Sequence, residues 1–376
     1  MQIIFLIQSE FSKRDYDRFG IDTLSLKPNC KVEIWSFKDF LQKKPPFFDA
    51  QQNLFNNIVS IKSKKEFIQK ISEIYDRAIF ISFIPVNYKT IFIFRFLEKF
   101  EHNYGFTGLG QQPIVTKSIK QRLLQAFANP AKTIKAAFYY LLSYLFCNFK
   151  KITPDFFLTG GKIGDKKFNQ NFINKPKEII SIHSFDYDLY LNLKIEDEKE
   201  KNYAVFIDQY VTDHPDRENK PIISSQDYYS DLNNFFDKVE ELFKVEILIA
   251  SHPRSSYKYN PFNSRKMEIN KTFNLIKGSK FVISHGSTAI SGAILFQKPI
   301  IFCYHSKFKV DYTNFLFQIS DFFSRKPIEI RDLNALSEYN LTFDKNQYLL
   351  YKNLFIKKED TKEGKLWDIF YDHFRN

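Results

Sequence analysis

The chain has 376 residues, too long for one ordinary hydrophobic core and suited to two domains of roughly 150 to 200 residues each. A hydrophobic fraction of 44%, with 43 Phe and 21 Tyr, excludes a disordered chain, and Lys plus Arg at 55 against Asp plus Glu at 43 gives a net charge of +12 that favours anionic partners. The three cysteines, Cys30, Cys147 and Cys303, share no C-x-x-C spacing, which excludes a disulfide framework and a zinc ribbon.

In chain order, Met1 to Ile7 lacks a basic leader and a small-residue cleavage site, so it reads as a first strand and not as a signal peptide, and a cytoplasmic location is expected. Further short runs rich in Ile, Val and Phe lie at 78–84, 155–158, 178–182, 203–207, 245–250, 280–283 and 299–303, as expected of strands buried on both faces of a parallel sheet. Helical periodicity falls between several of them, at 64–75, 88–100, 228–243 and 288–296. The alternation predicts an α/β fold with layered parallel sheets.

The charged interval 194–201 is the expected domain boundary, giving a first lobe over 1–195 and a second over 200–345. The helical pattern of 346–376 is expected to pack back across the first lobe. Segment 117–151 stands apart, because lysines and an arginine flank the 12-residue apolar run 136–147. That run is too short to span a bilayer, which needs about 20 residues. It fits either an interfacial segment touching anionic lipid or a buried helix with basic ends.

Several strands run into polar clusters. Gln8 and Ser9 follow the first, and His183 and Asp186 follow the run ending at Ile182; both pairs are candidate acceptor contacts. After 203–207 comes a loop with Asp208, Asp213 and His214, whose carboxylates are candidates for a general base, Asp213 foremost. The run ending at Ala250 leads to Ser251, His252, Pro253 and Arg254, where histidine can donate to a departing phosphate and arginine adds a permanent charge. The run ending at Ile283 leads to Ser284, His285, Gly286, Ser287 and Thr288, with a helix start expected near Thr288, so that hydroxyls and backbone N–H groups would seat a phosphate. The cluster 160–164 is glycine-rich but lacks phosphate-loop spacing and reads as a turn. No H-E-x-x-H or G-x-S-x-G motif occurs, and no helix-turn-helix or RRM signature, so nucleic acid is not an expected partner.

The ordered set Asp213-His214-Pro215, His252-Pro253 and Ser287-Thr288 resembles the acidic, His-Pro and Ser/Thr motifs of bacterial GT-B glycosyltransferases of capsule and lipopolysaccharide synthesis, in particular the sialyltransferases and related transferases of ulosonic sugars. The likeness covers about 200–305. It implies two Rossmann-like lobes facing a cleft and an inverting, metal-independent transfer from a CMP-linked sugar to an oligosaccharide or lipid-linked glycan at the inner face of the cytoplasmic membrane. It also implies no cofactor beyond that co-substrate, with Asp213 as base, His252 on the phosphate, and Ser287 and Thr288 completing the cradle. The sequence departs from the family in having His214-Pro215 where a second acid and a glycine are usual, which leaves Asp208 and His214 as substitute bases. The segment 293–302 is also similar to CDP-glycerol glycerophosphotransferases. A non-catalytic, membrane-associated assembly protein is the rival from another class.

Overall fold

The structure, a computed structural model, describes residues 1–9, 11–41, 55–110, 112–113, 130–149, 151–164, 173–194, 200–213 and 222–375. The chain divides into two compact units, one of 1–111, 116–185 and 357–376 and the other of 112–115 and 186–356. The change of unit at 185/186 precedes the charged interval expected to mark it. The reason lies in the helix Phe185–Lys194, which is tied into the second unit by Asp186, by the Tyr190 ring tilted against Phe296 (5.1 Å) and by Lys277 Nζ on the Leu193 carbonyl (2.8 Å).

The first unit holds a seven-stranded parallel sheet of β1 (Gln2–Ile7), β2 (Lys31–Ser36), β3 (Ile58–Ser60), β4 (Ile79–Ser82), β5 (Asn103–Gly108), β6 (Phe156–Gly160) and β7 (Glu178–Ile182), in the spatial order β3-β2-β1-β4-β5-β6-β7. Successive side chains of a strand point to opposite faces. Accordingly Ile3, Phe5 and Ile7 enter one core with Ile79 and Ile81, while Ile4 and Leu6 enter another with Phe80 and Phe94. The last helix, Leu366–Arg375, closes the first of these cores with Leu366, Trp367 and Phe370. Trp367 donates its indole N–H to the Arg18 carbonyl (2.7 Å) and lies where a Cβ on Gly20 would be, 2.0 Å from the ring.

The second unit holds a six-stranded parallel sheet of β8 (Tyr203–Ile207), β9 (Glu246–Ser251), β10 (Met267–Ile269), β11 (Phe281–Ser284), β12 (Ile300–Tyr304) and β13 (Ile328–Glu329), ordered β10-β9-β8-β11-β12-β13. The helix Ser225–Phe243 starts where Ser224 accepts from Asp227 N–H, a cap worth about 1 kcal/mol. It lays Tyr228, Leu232, Phe235, Phe236 and Val239 on the sheet face formed by Phe206, Ile249 and Ile283.

Both sheets wind outward in two directions from their first strand. The order reverses between β1 and β4 in one unit and between β8 and β11 in the other. In open α/β sheets the crevice outside the carboxyl ends at that reversal is where ligands bind. Among the described residues no helix is long and apolar enough to cross a membrane.

Candidate functional site

The three polar clusters of the second unit end the neighbouring strands β9, β8 and β11, so register alone brings them to one edge at the reversal point: Phe206 pairs with both Ile249 and Ile283. Each exit is shaped by the same local device. Asp208 Oδ1 accepts from Tyr210 N–H (2.8 Å), His252 Nδ1 from Arg254 N–H (3.1 Å) and Ser284 Oγ from Gly286 N–H (3.1 Å). A side chain that bonds the amide two residues on forms a turn as the strand leaves the sheet.

Asp208 is fully buried, and its other oxygen accepts from His252 N–H (3.2 Å) and the Tyr257 hydroxyl (2.9 Å). Burial raises its carboxyl above the usual range, and the bonds from Tyr210, Tyr257 and His252 oppose that rise. Asp208, expected as a substitute base, is buried, and its carboxylate pins the exits of β8 and β9 together. Tyr257 is raised in turn by burial and by the Asp208 charge, and Tyr229, beside Thr212, is pushed up to about 12 by burial, so both hydroxyls keep their protons. Asp213 is exposed, its N–H on the Tyr210 carbonyl (3.3 Å), and Tyr210 itself takes a positive φ of 48° that sets the direction of the loop. His214 lies outside the described residues.

At the β9 exit His252 and Arg254 are half-buried and Pro253 exposed. Because His252 Nδ1 accepts a backbone N–H, the proton of the neutral ring sits on Nε2, which makes that nitrogen a donor. The histidines at the next two exits are different. His285 is fully buried, donates from Nδ1 to the Cys303 carbonyl (2.6 Å) and accepts at Nε2 from the Tyr228 hydroxyl (2.7 Å); burial pulls it down to about 4. His305, after β12, accepts at Nδ1 from Lys307 N–H (3.0 Å) and meets Asp231 at Nε2 (3.1 Å).

The β11 exit is less open to a phosphate than the sequence suggests. Ser284, expected as a phosphate contact, is fully buried, and its Oγ accepts from both Gly286 and Ser287 N–H (3.1 Å each), so it shapes the turn. Gly286 has φ of 90°, a backbone conformation that favours glycine. The helix begins at Ile290, two residues later than expected, with no side-chain cap; Ser287 Oγ instead accepts from Ala289 N–H (3.2 Å). Thr288 is exposed. With its amide turned so that the oxygen accepts from Ser287 N–H (3.2 Å), Gln209 also donates to the His285 carbonyl (3.3 Å) and the Tyr312 hydroxyl, linking the β8 and β11 exits.

The acceptor candidates fare unevenly. Asp186 accepts from Ser291 Oγ (2.5 Å), within the second unit. His183, expected as an acceptor contact, is fully buried in the first unit with both ring nitrogens on carbonyl oxygens, of Ser184 (3.0 Å) and Gly364 (2.8 Å). Gln8, half-buried, and Ser9, exposed, follow β1 at the reversal of the first sheet. A cavity of about 560 Å³ lies at the opposite, amino-terminal edge of that sheet, lined by Glu98, His102, Tyr104, Asp155 and Lys177. Two of its acids have local partners, Glu98 the Tyr104 hydroxyl (2.9 Å) and Asp155 Lys177 (2.7 Å), and it is far from the switch-point geometry. Among the described residues no group of three or more His, Cys, Asp or Glu is placed to hold a metal ion.

No family model matches the sequence, and no curated protein matches it. Solved structures do match. Os79 from O. sativa, in complex with UDP, shares 8% identity over 99% of both chains with a TM-score of 0.53. The UDP-GlcNAc 2-epimerase from Methanocaldococcus jannaschii matches 94% of this chain and 99% of its own at 10% identity and a TM-score of 0.46. A variant of the wall teichoic acid polymerase TagF matches 99% of this chain and 83% of its own at 13% identity and 0.47. The likeness to Os79 together with the two doubly wound sheets defines the fold as GT-B, with two Rossmann-like lobes.

Proposed function

We propose that the protein is a glycosyltransferase that moves a sugar from a nucleotide donor, a CMP-linked ulosonic or nonulosonic acid, to an oligosaccharide or lipid-linked surface glycan on the cytoplasmic side. The observation that carries this reading is the β9 exit. There a half-buried histidine with its proton on Nε2 shares one turn with an arginine, beside the reversal point of the second sheet.

In this reading the acceptor oxygen forms a bond to the anomeric carbon as the bond from that carbon to the phosphate oxygen breaks, with inversion, and the electron pair leaves with the nucleotide. Charge growing on the phosphate is met by His252 Nε2–H, the Arg254 guanidinium and the hydroxyls of Ser287 and Thr288. Preorganised donors of this kind contribute about 3 to 4 kcal/mol each in low-dielectric sites. The acceptor proton passes to Asp213, whose exposed carboxylate stands on the loop leaving β8. No metal ion takes part.

Calorimetric titration with CMP, CDP, UDP and GDP, repeated on His252→Ala, tests the reading. Selective CMP binding, weakened 10-fold or more in the variant, is expected. Preference for UDP or GDP retains a nucleotide-sugar transferase and removes the CMP donor; binding of none of the four refutes the assignment of the second unit.

A further inference from the structure

The helix Pro130–Asn148 is attached to the first unit by one narrow stripe. Ser143 and Cys147 are buried along it, with Ser143 Oγ accepting from Tyr88 N–H (3.3 Å), the tilted Tyr139 ring 5.6 Å from that of Tyr88 and the Phe146 carbonyl accepting from Arg95 (2.8 Å). At 100° per residue, Ile134, Phe138, Leu141 and Leu145 fall on the side directly opposite Ser143. That outward side is apolar and open: Ile134 is 69% exposed, Phe138 58%, Leu141 51% and Leu145 57%, with Tyr140 and Tyr144 beside them and Phe149 at 95% just beyond the helix. At about 200 Å² for a large side chain, these residues with Phe146 expose roughly 900 Å² of largely apolar surface, where a monomer's largest patch is typically about 300–600 Å².

Charge selects what covers it. Between Glu101 and Asp155 the sequence has no Asp or Glu, although a stretch of that length at the chain's average would carry about six. It has instead Lys117, Lys120, Arg122, Lys132, Lys135, Lys150 and Lys151. An exposed apolar, aromatic face on a helix flanked in sequence only by cations matches an anionic bilayer surface, in which aromatic rings sit at headgroup depth and lysines meet lipid phosphates. A second copy of this chain would bring an equally basic segment to the same face, and like charges repel.

We propose that the Pro130–Asn148 helix is a docking surface for an anionic lipid bilayer, lying in the interface with Ile134, Phe138, Leu141 and Leu145 inserted and the flanking lysines on headgroups. This goes beyond the proposed transfer reaction and does not depend on it, since the surface belongs to the first unit and the candidate nucleotide site to the second.

The test is flotation of the full chain with vesicles of phosphatidylcholine alone and of phosphatidylcholine with 30% phosphatidylglycerol. Binding is expected to the anionic vesicles only, to fall as salt rises, and to fall 10-fold or more in F138S/L141S/L145S. These side chains are already half exposed, so the variant is expected to keep the wild-type melting temperature, which is measured alongside. Lys135→Glu with Lys151→Glu is a second variant, expected to weaken binding at least 10-fold without touching the apolar face. Equal binding to both vesicle types, no binding to either, or unchanged binding in both variants overturns the proposal. So does a concentration-dependent dimer that the triple variant abolishes in a chain that ignores vesicles, which would make a second copy the occupant.

Discussion

Replacing Asp208 with Asn separates a buried strut from a catalytic base. Three donors converge on this carboxylate: Tyr210 N–H, His252 N–H and the Tyr257 hydroxyl. An amide in the same place has one oxygen, so its NH₂ must face at least one of those donors, and a buried donor without its acceptor costs about 1–3 kcal/mol. The pH dependence carries a sign. Burial raises the carboxyl in the folded chain above the 3.8 of an unperturbed aspartate, so the folded state holds the proton more tightly than the unfolded state does. Stability from this group is therefore fully present below about pH 3.8 and is lost as pH rises through the folded value, at up to about 1.4 kcal/mol per pH unit. Asn has no such proton, and the deficit of the variant is expected to be largest near pH 4 and to narrow as pH rises toward 8. Guanidinium denaturation across that range measures it. Circular dichroism is the probe required, because Trp35 and Trp367 both belong to the first unit and report on that unit alone. A deficit that widens with pH would refute the reasoning, since it would mean that the three donors outweigh burial and depress the carboxyl. A variant of wild-type stability that binds nucleotide but cannot turn over would return Asp208 to the role of base.

Gly286→Ala is expected to lose about 1–3 kcal/mol, because its φ of 90° lies outside the range L residues favour; an unchanged melting temperature and nucleotide affinity would show that the β11 turn tolerates a side chain. Trp367→Ala removes a buried indole that packs edge-on against Phe5 (5.2 Å) and bonds the Arg18 carbonyl, at an expected cost of about 3–5 kcal/mol. Amide hydrogen exchange should rise along β1; protection like that of the wild type there would show that the last helix is dispensable to this core.

The strands legible in the sequence were those buried on both faces, where Ile, Val and Phe run on without interruption, as in β1 and β8. Those that escaped have physical reasons to look unlike strands. β2 carries Lys31, exposed, and Glu33, half-buried, within an alternating pattern. β5 has Gly105 in its middle because the Phe156 ring of β6 crosses it, 2.3 Å from where a Cβ would sit. β10 and β13 have three and two residues. At the site, the order of the polar clusters was readable and their convergence followed from parallel pairing. Tertiary partners were not readable: Tyr257 on Asp208, Tyr228 on His285 and Asp231 on His305 join residues 49, 57 and 74 positions apart.

The same local device explains why polar clusters at strand exits are ambiguous evidence for a ligand. Ser36 and Ser82 in the first sheet accept from the amides of Lys38 and Ile84, as Asp208, Ser284 and the histidines do in the second. A Ser or Asp doing this has its acceptor committed to the turn, and the amide it holds is withdrawn from any incoming phosphate. A histidine is different, because one ring nitrogen makes the turn and the other remains a separate functional atom. His305 bonds Asp231 through that second atom and, like His285, is sealed in the core; His252 is half-buried and has Arg254 in the same turn. In the proposed reading, anion recognition at this edge depends mainly on side chains of the β9 exit, and less on the β11 amides, two of which are already bonded to Ser284. On that argument His252→Ala should cost more nucleotide affinity than Thr288→Ala, and the reverse order would place the phosphate at the β11 turn.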